Sequence, residues 1–173
     1  THTLKDKFAS ETERVERSFV DIVKHTEFMM KVIISQIKTN PKNLEHINNI
    51  INKYSINPRL NNVLSWTTFS WLDSKHNKVI DSTSGLLTQA VNYSNREYAK
   101  NAKREPGKMH LGATTFGFAS QRYVIPAVLG ISEDYEYIGA LNIAFDLANL
   151  SVTLSNQLKD QKVYLALLDN KLN

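Results

Sequence analysis

The chain has 173 residues, no cysteine, a formal charge of +4 and 42% apolar residues. That suits one domain of ordinary size with a real core, and it excludes disulfides, thiolate catalysis and cysteine-based metal sites. Its basic residues are interleaved with acidic ones and its aromatics are dispersed, so a nucleic-acid-binding tail or base-stacking surface is excluded and no nucleic-acid partner is expected.

Residues 4–38 contain no Gly or Pro. Phe8, Val15, Ile22 and Met29 stand seven apart, with Phe19 and Ile33 in a companion row that Thr12 and Thr26 interrupt. The spacing predicts a long amphipathic helix with a weak heptad tendency, which either packs along its own domain or also pairs with a twin in a homodimer. "TNPK" at 39–42 stops it, because a residue before proline is pushed out of helical geometry. A shorter helix follows at 44–54, closed by "INPR" at 56–59. "WTTFSWLD" and "KVIDSTS", joined by "SKHN", predict two strands and a tight turn. After an irregular stretch, a helix at 94–104 is capped by Asn92 or Ser94 and ended by "EPGK". Three further strands are predicted at 109–114, 121–132 and 137–145, with "SEDYE" as the hairpin turn between the last two, and Asp146 opens a helix to about residue 159. The expected architecture is α+β, with a five-stranded, mainly antiparallel sheet. The segment 60–72 is uncharged but too short and too polar to cross a bilayer, and no signal peptide is visible.

The strand at 137–145 presents Tyr137, Leu141, Ile143 and Phe145 on one face and Ile138, Ala140, Asn142 and Ala144 on the other, ending at Asp146. "VIPAVLGI" at 124–131 is apolar on both faces and is expected to be covered on both sides. The simplest arrangement lays the long helix over the bulky face and leaves the small-residue face to line a cavity beneath the helix that carries "YSNREYAKNA".

"WTTFSWLD…KVIDSTSG", "YSNREYAKNA" and "RYVIPAVLGISEDYEYIGALNIAFDLANL" together resemble the Cache sensor domains, the extracytoplasmic PAS-like modules of bacterial histidine kinases, diguanylate cyclases and chemoreceptors. The resemblance covers roughly residues 58–150. It implies a PAS-like five-stranded sheet, a long N-terminal helix across one face descending from a transmembrane segment, and a small-molecule pocket on the other face. In Cache members that bind amino acids, an Arg-x-Trp-Tyr run holds the ligand carboxylate, while a Tyr-x-Asp pair and a later Asp hold its amino group. Arg96 matches the arginine, Tyr98 stands where the tryptophan would, and Asp146 matches the later aspartate. Phe116 and Phe118 occupy the Tyr-x-Asp positions and Ala99 replaces the second aromatic. The carboxylate-binding half is retained better than the ammonium-binding half, which leaves open a small carboxylate, another anion or no ligand.

The candidate ligand-binding residues are therefore Arg96, Tyr98, Phe116, Phe118, Tyr123, Asn142 and Asp146. Each also has a structural reading: an ion pair from Arg96 to Glu97, Glu105 or Asp146, core aromatics at Tyr98 and Tyr123, a helix cap at Asp146. The basic group Lys100, Lys103, Arg104, Lys108 and His110 reads as a solvated face that could also steer an anion. The histidines lack ligand spacing, and no phosphate loop, nucleophile elbow or carboxylate pair occurs. No metal, cofactor or catalytic residue is assigned, and the piece itself is not expected to be an enzyme. The expected organisation is a helical segment at 1–55, a sensor domain at 56–160 and a terminal strand at 161–173, which reads as an edge element or as the start of a second module. The expected function is small-molecule sensing at the periplasmic or extracellular face of the bacterial inner membrane, within a membrane-anchored sensor histidine kinase. A diguanylate cyclase or chemoreceptor parent, a soluble binding or enzymatic PAS-like module, and a ligand-free dimerisation domain are the alternatives.

Overall fold

The computed structural model describes residues 3–158, so the terminal strand expected at 161–173 lies outside the described residues. Helix α1 (Leu4–Ile37) begins with a capping box, in which Asp6 N–H donates to the Thr3 hydroxyl at 3.3 Å and Thr3 N–H donates to the Asp6 carboxylate at 3.1 Å. The pair satisfies two donors that a helix start leaves open. Helix α2 (Leu44–Ser55) is capped by Asn43, which accepts from His46 N–H at 3.0 Å. "INPR" does more than close α2. Asn57 accepts from Arg59 N–H at 3.2 Å and Pro58 opens a further short helix, α3 (Pro58–Leu64), at the one helical position where a missing N–H costs nothing.

Val15, Ile22, Met30, Ile33, Ile34 and Ile37 carry α1 into the core, whereas Phe8 stays half exposed. Thr26, which breaks the apolar row in sequence, has a specific partner. It is buried, its hydroxyl donates to the Ile22 carbonyl at 2.8 Å, and it accepts the Trp66 indole N–H at 2.9 Å. Thr26→Val keeps the shape and leaves that N–H buried without an acceptor, which is expected to destabilise by about 1–3 kcal/mol. Urea unfolding reads the loss, and Thr26→Ser should recover most of it; a Val variant within 0.5 kcal/mol of wild type, on the scale of an ordinary surface change, would contradict the bond.

The sheet contains β1 (Trp66–Asp73), β2 (Asn77–Asp81), β3 (Gly85–Asn92), β4 (Met109–Leu111), β5 (Thr115–Gly117), β6 (Arg122–Glu133) and β7 (Glu136–Asp146). Every pairing is antiparallel, in the order β3-β2-β1-β7-β6-β4, with β5 also pairing along β6. This is two strands more than the five expected. β3 is a mostly exposed edge strand and offers no inward apolar row to read, and β5 is only three residues long. The β6–β7 turn places Asp134 and Tyr135 at φ 48° and 66°, the double positive φ of a two-residue hairpin.

One face of the sheet packs on the helices. Phe69, Trp71, Ala127, Leu129, Ile131, Leu141, Ile143 and Phe145 share a continuous core with α1, α2 and α5 (Leu147–Ser155). Burial of each large side chain there contributes about 1.5–3 kcal/mol. The other face carries α4 (Glu97–Arg104), whose Tyr98, Ala99 and Ala102 pack on Leu72, Val128 and Ala140. β6 is thus covered on both sides. The expected alternation along β7 holds from Ala140 onward, but a register shift opposite Ile131/Ser132 inserts Ile138 as an extra residue. Ile138 accordingly packs toward the α1 core, and Tyr137 turns to the α4 side near His76, their ring centroids 6.1 Å apart. A one-residue insertion of this kind exchanges the faces of the residues beyond it.

Candidate functional site

The helix bearing the arginine starts later than its sequence suggests. Asn92 Oδ1 accepts Ser94 N–H at 3.0 Å and closes a turn before the helix begins, so neither Asn92 nor Ser94 is the cap. Arg96, extended at φ −84° and ψ 124°, is itself the N-cap, with no side-chain capping bond. Its side chain is therefore free to reach sideways.

Two close approaches fix α4 above the sheet. A Cβ at Gly130 would lie well under 3.0 Å from the Ala102 carbonyl, and one at Gly112 would lie 2.6 Å from the Tyr98 ring and from Pro126. Only hydrogen at these positions lets the helix and Tyr98 seat so near. Ala140 fills the space directly beneath α4, while farther along the same face Asn142 and Ala144 open into a cavity of about 80 Å³. Its wall is completed by Thr68 and Ser70 of β1, Lys78 and Asp81 of β2, Tyr93, Arg96 and Tyr98, and Thr115 to Ser120 with Val124 and Pro126.

Five of the seven candidate residues meet in this cavity: Arg96, Tyr98, Phe116, Phe118 and Asn142. The other two do not. Asp146 is buried at the end of β7, where it caps α5 by accepting Asn149 N–H at 3.2 Å and pairs with Arg122; it lines a separate open groove beside Asn62 and Thr83. Tyr123 is 62% exposed and stacks edge-on against Phe116, ring centroids 5.5 Å apart. Phe116 and Phe118 stand at the rim, Phe118 with 80% of its surface in solvent.

The exposed Arg96 makes none of the expected ion pairs among the described residues. Among the described residues Glu97 pairs with Lys100, Glu105 with Lys108 and Asp146 with Arg122. The Arg96 guanidinium instead lies 5.9 Å from the centroid of the Tyr93 ring, with Lys78 Nζ 5.8 Å from the same centroid, and Tyr93 stands edge-on to Tyr98 at 6.5 Å. An aromatic frame thus holds two cations by their attraction to a ring face. Burial pushes the Tyr98 phenol up to about 12, so it stays neutral at physiological pH.

Lys78 and Asp81 were not legible as site residues. Three apart on a regular strand, they would point to opposite faces. Val79 is an extra residue in β2, since Trp71 pairs with Ile80 and Leu72 with Lys78. Val79 and Ile80 both pack into the helix-side core, and Lys78 and Asp81 come to the cavity side, where they pair at 2.9 Å. Asp81 also accepts Thr83 N–H at 2.9 Å and the Thr83 hydroxyl at 2.6 Å. Burial works against ionisation of its carboxyl, but the Thr83 and Lys78 hydrogen bonds outweigh it and hold the pKa below its usual value. Burial also opposes the Lys78 charge, and Asp81 overrides it and raises the Lys78 pKa. At the cavity floor Asn142 Nδ2–H donates to Ser70 Oγ at 3.2 Å, while Asn142 Oδ1 is buried without a partner.

Larger depressions among the described residues lie open to solvent, among them one of about 410 Å³ between α1 and the turn at Pro106, and one of about 700 Å³ around the Arg122–Asp146 pair. Neither is lined by an unpartnered buried polar atom among those of the described residues.

No protein-family profile matches the chain, and no curated protein is similar to it in sequence. Solved structures do match. The ligand-binding domain of the Pseudomonas fluorescens chemoreceptor CtaA, in complex with L-valine, superposes with a TM-score of 0.69 at 11% identity, over 87% of this chain and 64% of that one. The sensor domain of the V. cholerae histidine kinase DctB gives 0.63 at 13% identity, over 90% and 59%. The ligand-binding domain of the Campylobacter jejuni chemoreceptor Tlp3, in complex with L-norvaline, gives 0.62 at 11% identity, over 87% and 62%. The chain spans about three-fifths of the length of these domains. At such identities the likeness is one of fold: a long N-terminal helix and a curled antiparallel sheet. The chain has the α+β, PAS-like fold that these sensor and ligand-binding domains of a histidine kinase and of chemoreceptors share.

Proposed function

We propose that this chain is the extracytoplasmic signal-sensing domain of a membrane-anchored bacterial receptor, a sensor histidine kinase, and performs no catalysis of its own. A small carboxylate or other anion enters the cavity, Arg96 holds its negative end, and Tyr98, Phe116, Phe118 and Asn142 enclose it. The observation that carries this reading is the Arg96 guanidinium, which has no ion pair among the described residues, on the wall of a cavity that is also lined by Asn142, whose buried Oδ1 lacks a hydrogen-bond partner. A guanidinium offers a planar fork that takes a carboxylate through two parallel bonds.

The route outward follows from β7. Asn142 and Ala144 face the cavity, whereas Leu141, Ile143 and Phe145 of the same strand pack in the core that α1 shares. A ligand that shifts β7 therefore repacks α1, the element expected to continue toward the membrane. No helix among the described residues is itself long and apolar enough to cross a membrane.

A thermal-shift screen of small acids tests the reading. A ligand at a hundred times its dissociation constant adds about 2.7 kcal/mol, and at roughly 2–4 °C per kcal/mol for a domain of this size Tm should rise by roughly 5–11 °C. Arg96→Ala should abolish the rise without unfolding the protein. If no acid raises Tm, or if the Arg96→Ala protein keeps the hits, the site is withdrawn. The coding sequence beyond Asn173 tests the parent: a kinase core there supports the histidine kinase, and a methyl-accepting helical bundle replaces it with a chemoreceptor.

A further inference from the structure

The geometry points to a hydroxy-monocarboxylate of two or three carbons as the occupant of the Arg96 cavity, in preference to an α-amino acid or a dicarboxylate. This rests on the sensor reading above and specifies its ligand. The first reason is charge. Of the charged residues lining the cavity, Lys78 and Asp81 neutralise each other across 2.9 Å, and Arg96 is left as the single unmatched cation. One carboxylate balances it. A second would be desolvated among neutral walls with no counter-charge, which is strongly unfavourable.

The second reason is the absence of a place for an ammonium group. Asp81 is the acidic residue in the wall, and its carboxylate is already engaged by Thr83 N–H, the Thr83 hydroxyl and Lys78 Nζ. Asp146, the other candidate, is turned away and held by Arg122. Phe116 and Phe118 bring no acceptor side chain to the rim. An ammonium needs several acceptors, of which Asn142 Oδ1 supplies one, and it would share the cavity with the unmatched Arg96 cation.

The third reason is Asn142. The residue is 91% buried and lines the cavity, its Nδ2–H donates to Ser70, and its Oδ1 is without a partner. A hydroxyl on the ligand supplies the missing hydrogen bond. Because a hydroxyl both donates and accepts, it completes the amide in either of its two orientations. The fourth reason is size. About 80 Å³ is far below the roughly 300–1,000 Å³ of a site for a drug-sized ligand, and it suits a molecule of a few heavy atoms.

Calorimetric titration of the 173-residue chain with glycolate, acetate, L-alanine and malonate tests this. Glycolate should bind at least about tenfold more tightly than acetate, a difference of about 1.4 kcal/mol, and L-alanine and malonate should each bind at least as weakly as acetate. Asn142→Leu should bring glycolate down to the level of acetate, and Arg96→Ala should remove both. Should the Leu variant not fold, the wild-type series alone decides. Acetate equal to glycolate, or L-alanine or malonate equal to or tighter than glycolate, overturns the hydroxy-acid assignment. If none of the four binds while the wider acid screen gives Arg96-dependent hits, the assignment fails and the sensor reading stands; if that screen is also blank, the sensor reading fails as well.

Discussion

Gly130→Val is expected to destabilise the domain by at least about 3 kcal/mol, the top of the usual range for overpacking, and to abolish ligand binding. A Cβ at residue 130 meets the carbonyl of Ala102, which is backbone of α4 and cannot rotate away as a side-chain tip could. The only relief is to lift α4, and that exposes Tyr98, Ala99 and Ala102 and moves Arg96 off the cavity. Gly130→Ala should show the same direction with a smaller loss. Urea unfolding measures the stability, and for the Ala variant the acid screen measures how far the site has moved. Two variants that each lose less than 1 kcal/mol would mean that α4 does not rest on β6 at this point.

Much of this fold can be read from residue order because local signals agree with the final packing. The β6–β7 hairpin is announced by "SEDYE", and the apolar run of β6 requires cover on both sides, which α1 and α4 supply. What escapes such reading is whatever depends on an inserted residue or a distant partner. Thr26 looks like an interruption of a helix stripe until Trp66, forty positions away, donates to it. Val79 and Ile138 each add one residue to a strand, and each exchanges the faces of its neighbours. The first of these brings Lys78 and Asp81 into the cavity, and the second turns Tyr137 toward α4. β3 escaped because an exposed edge strand needs no apolar face.

The candidate site divides along the same line. Arg96 and Tyr98 follow from a motif that stays contiguous on one short element, and they do share one cavity. Asp146 follows from a position far along the chain, and there Arg122, a partner that spacing does not reveal, competes for it. The acidic residue actually present in the cavity, Asp81, lies in "KVIDSTS", where the Asp-Ser-Thr turn accounts locally for two of its hydrogen bonds. Its third partner, Lys78, becomes a neighbour only through the bulge.

Breaking that pair is the other large expected effect. Lys78 and Asp81 side chains retain 13% and 4% of their exposure, so Asp81→Asn leaves a buried ammonium without a counter-charge. Removing one partner of a buried pair costs about 3–5 kcal/mol, and that loss is expected at pH 7. Lys78→Met/Asp81→Leu, which removes both charges, should cost less than Asp81→Asn alone. The pH dependence has a definite sign. The folded-state pKa of Asp81 lies below its ordinary value, so its contribution is complete above about pH 4 and disappears as the pH falls through the lowered value. The folded-state pKa of Lys78 lies above its ordinary value, so its contribution is complete below about pH 10 and disappears as the pH rises through the raised value. Between these limits the pair is intact, and the difference in unfolding free energy between wild type and Asp81→Asn should be constant. On acidification it should narrow, because protonation of Asp81 makes wild type resemble the variant. Urea unfolding at pH 7, 5 and 3 reads this directly. A difference below about 1 kcal/mol at pH 7, or one that does not narrow at pH 3, would show that the pair is solvated and contributes little. The cavity would then carry more than the one unmatched positive charge on which its preference for a single carboxylate depends.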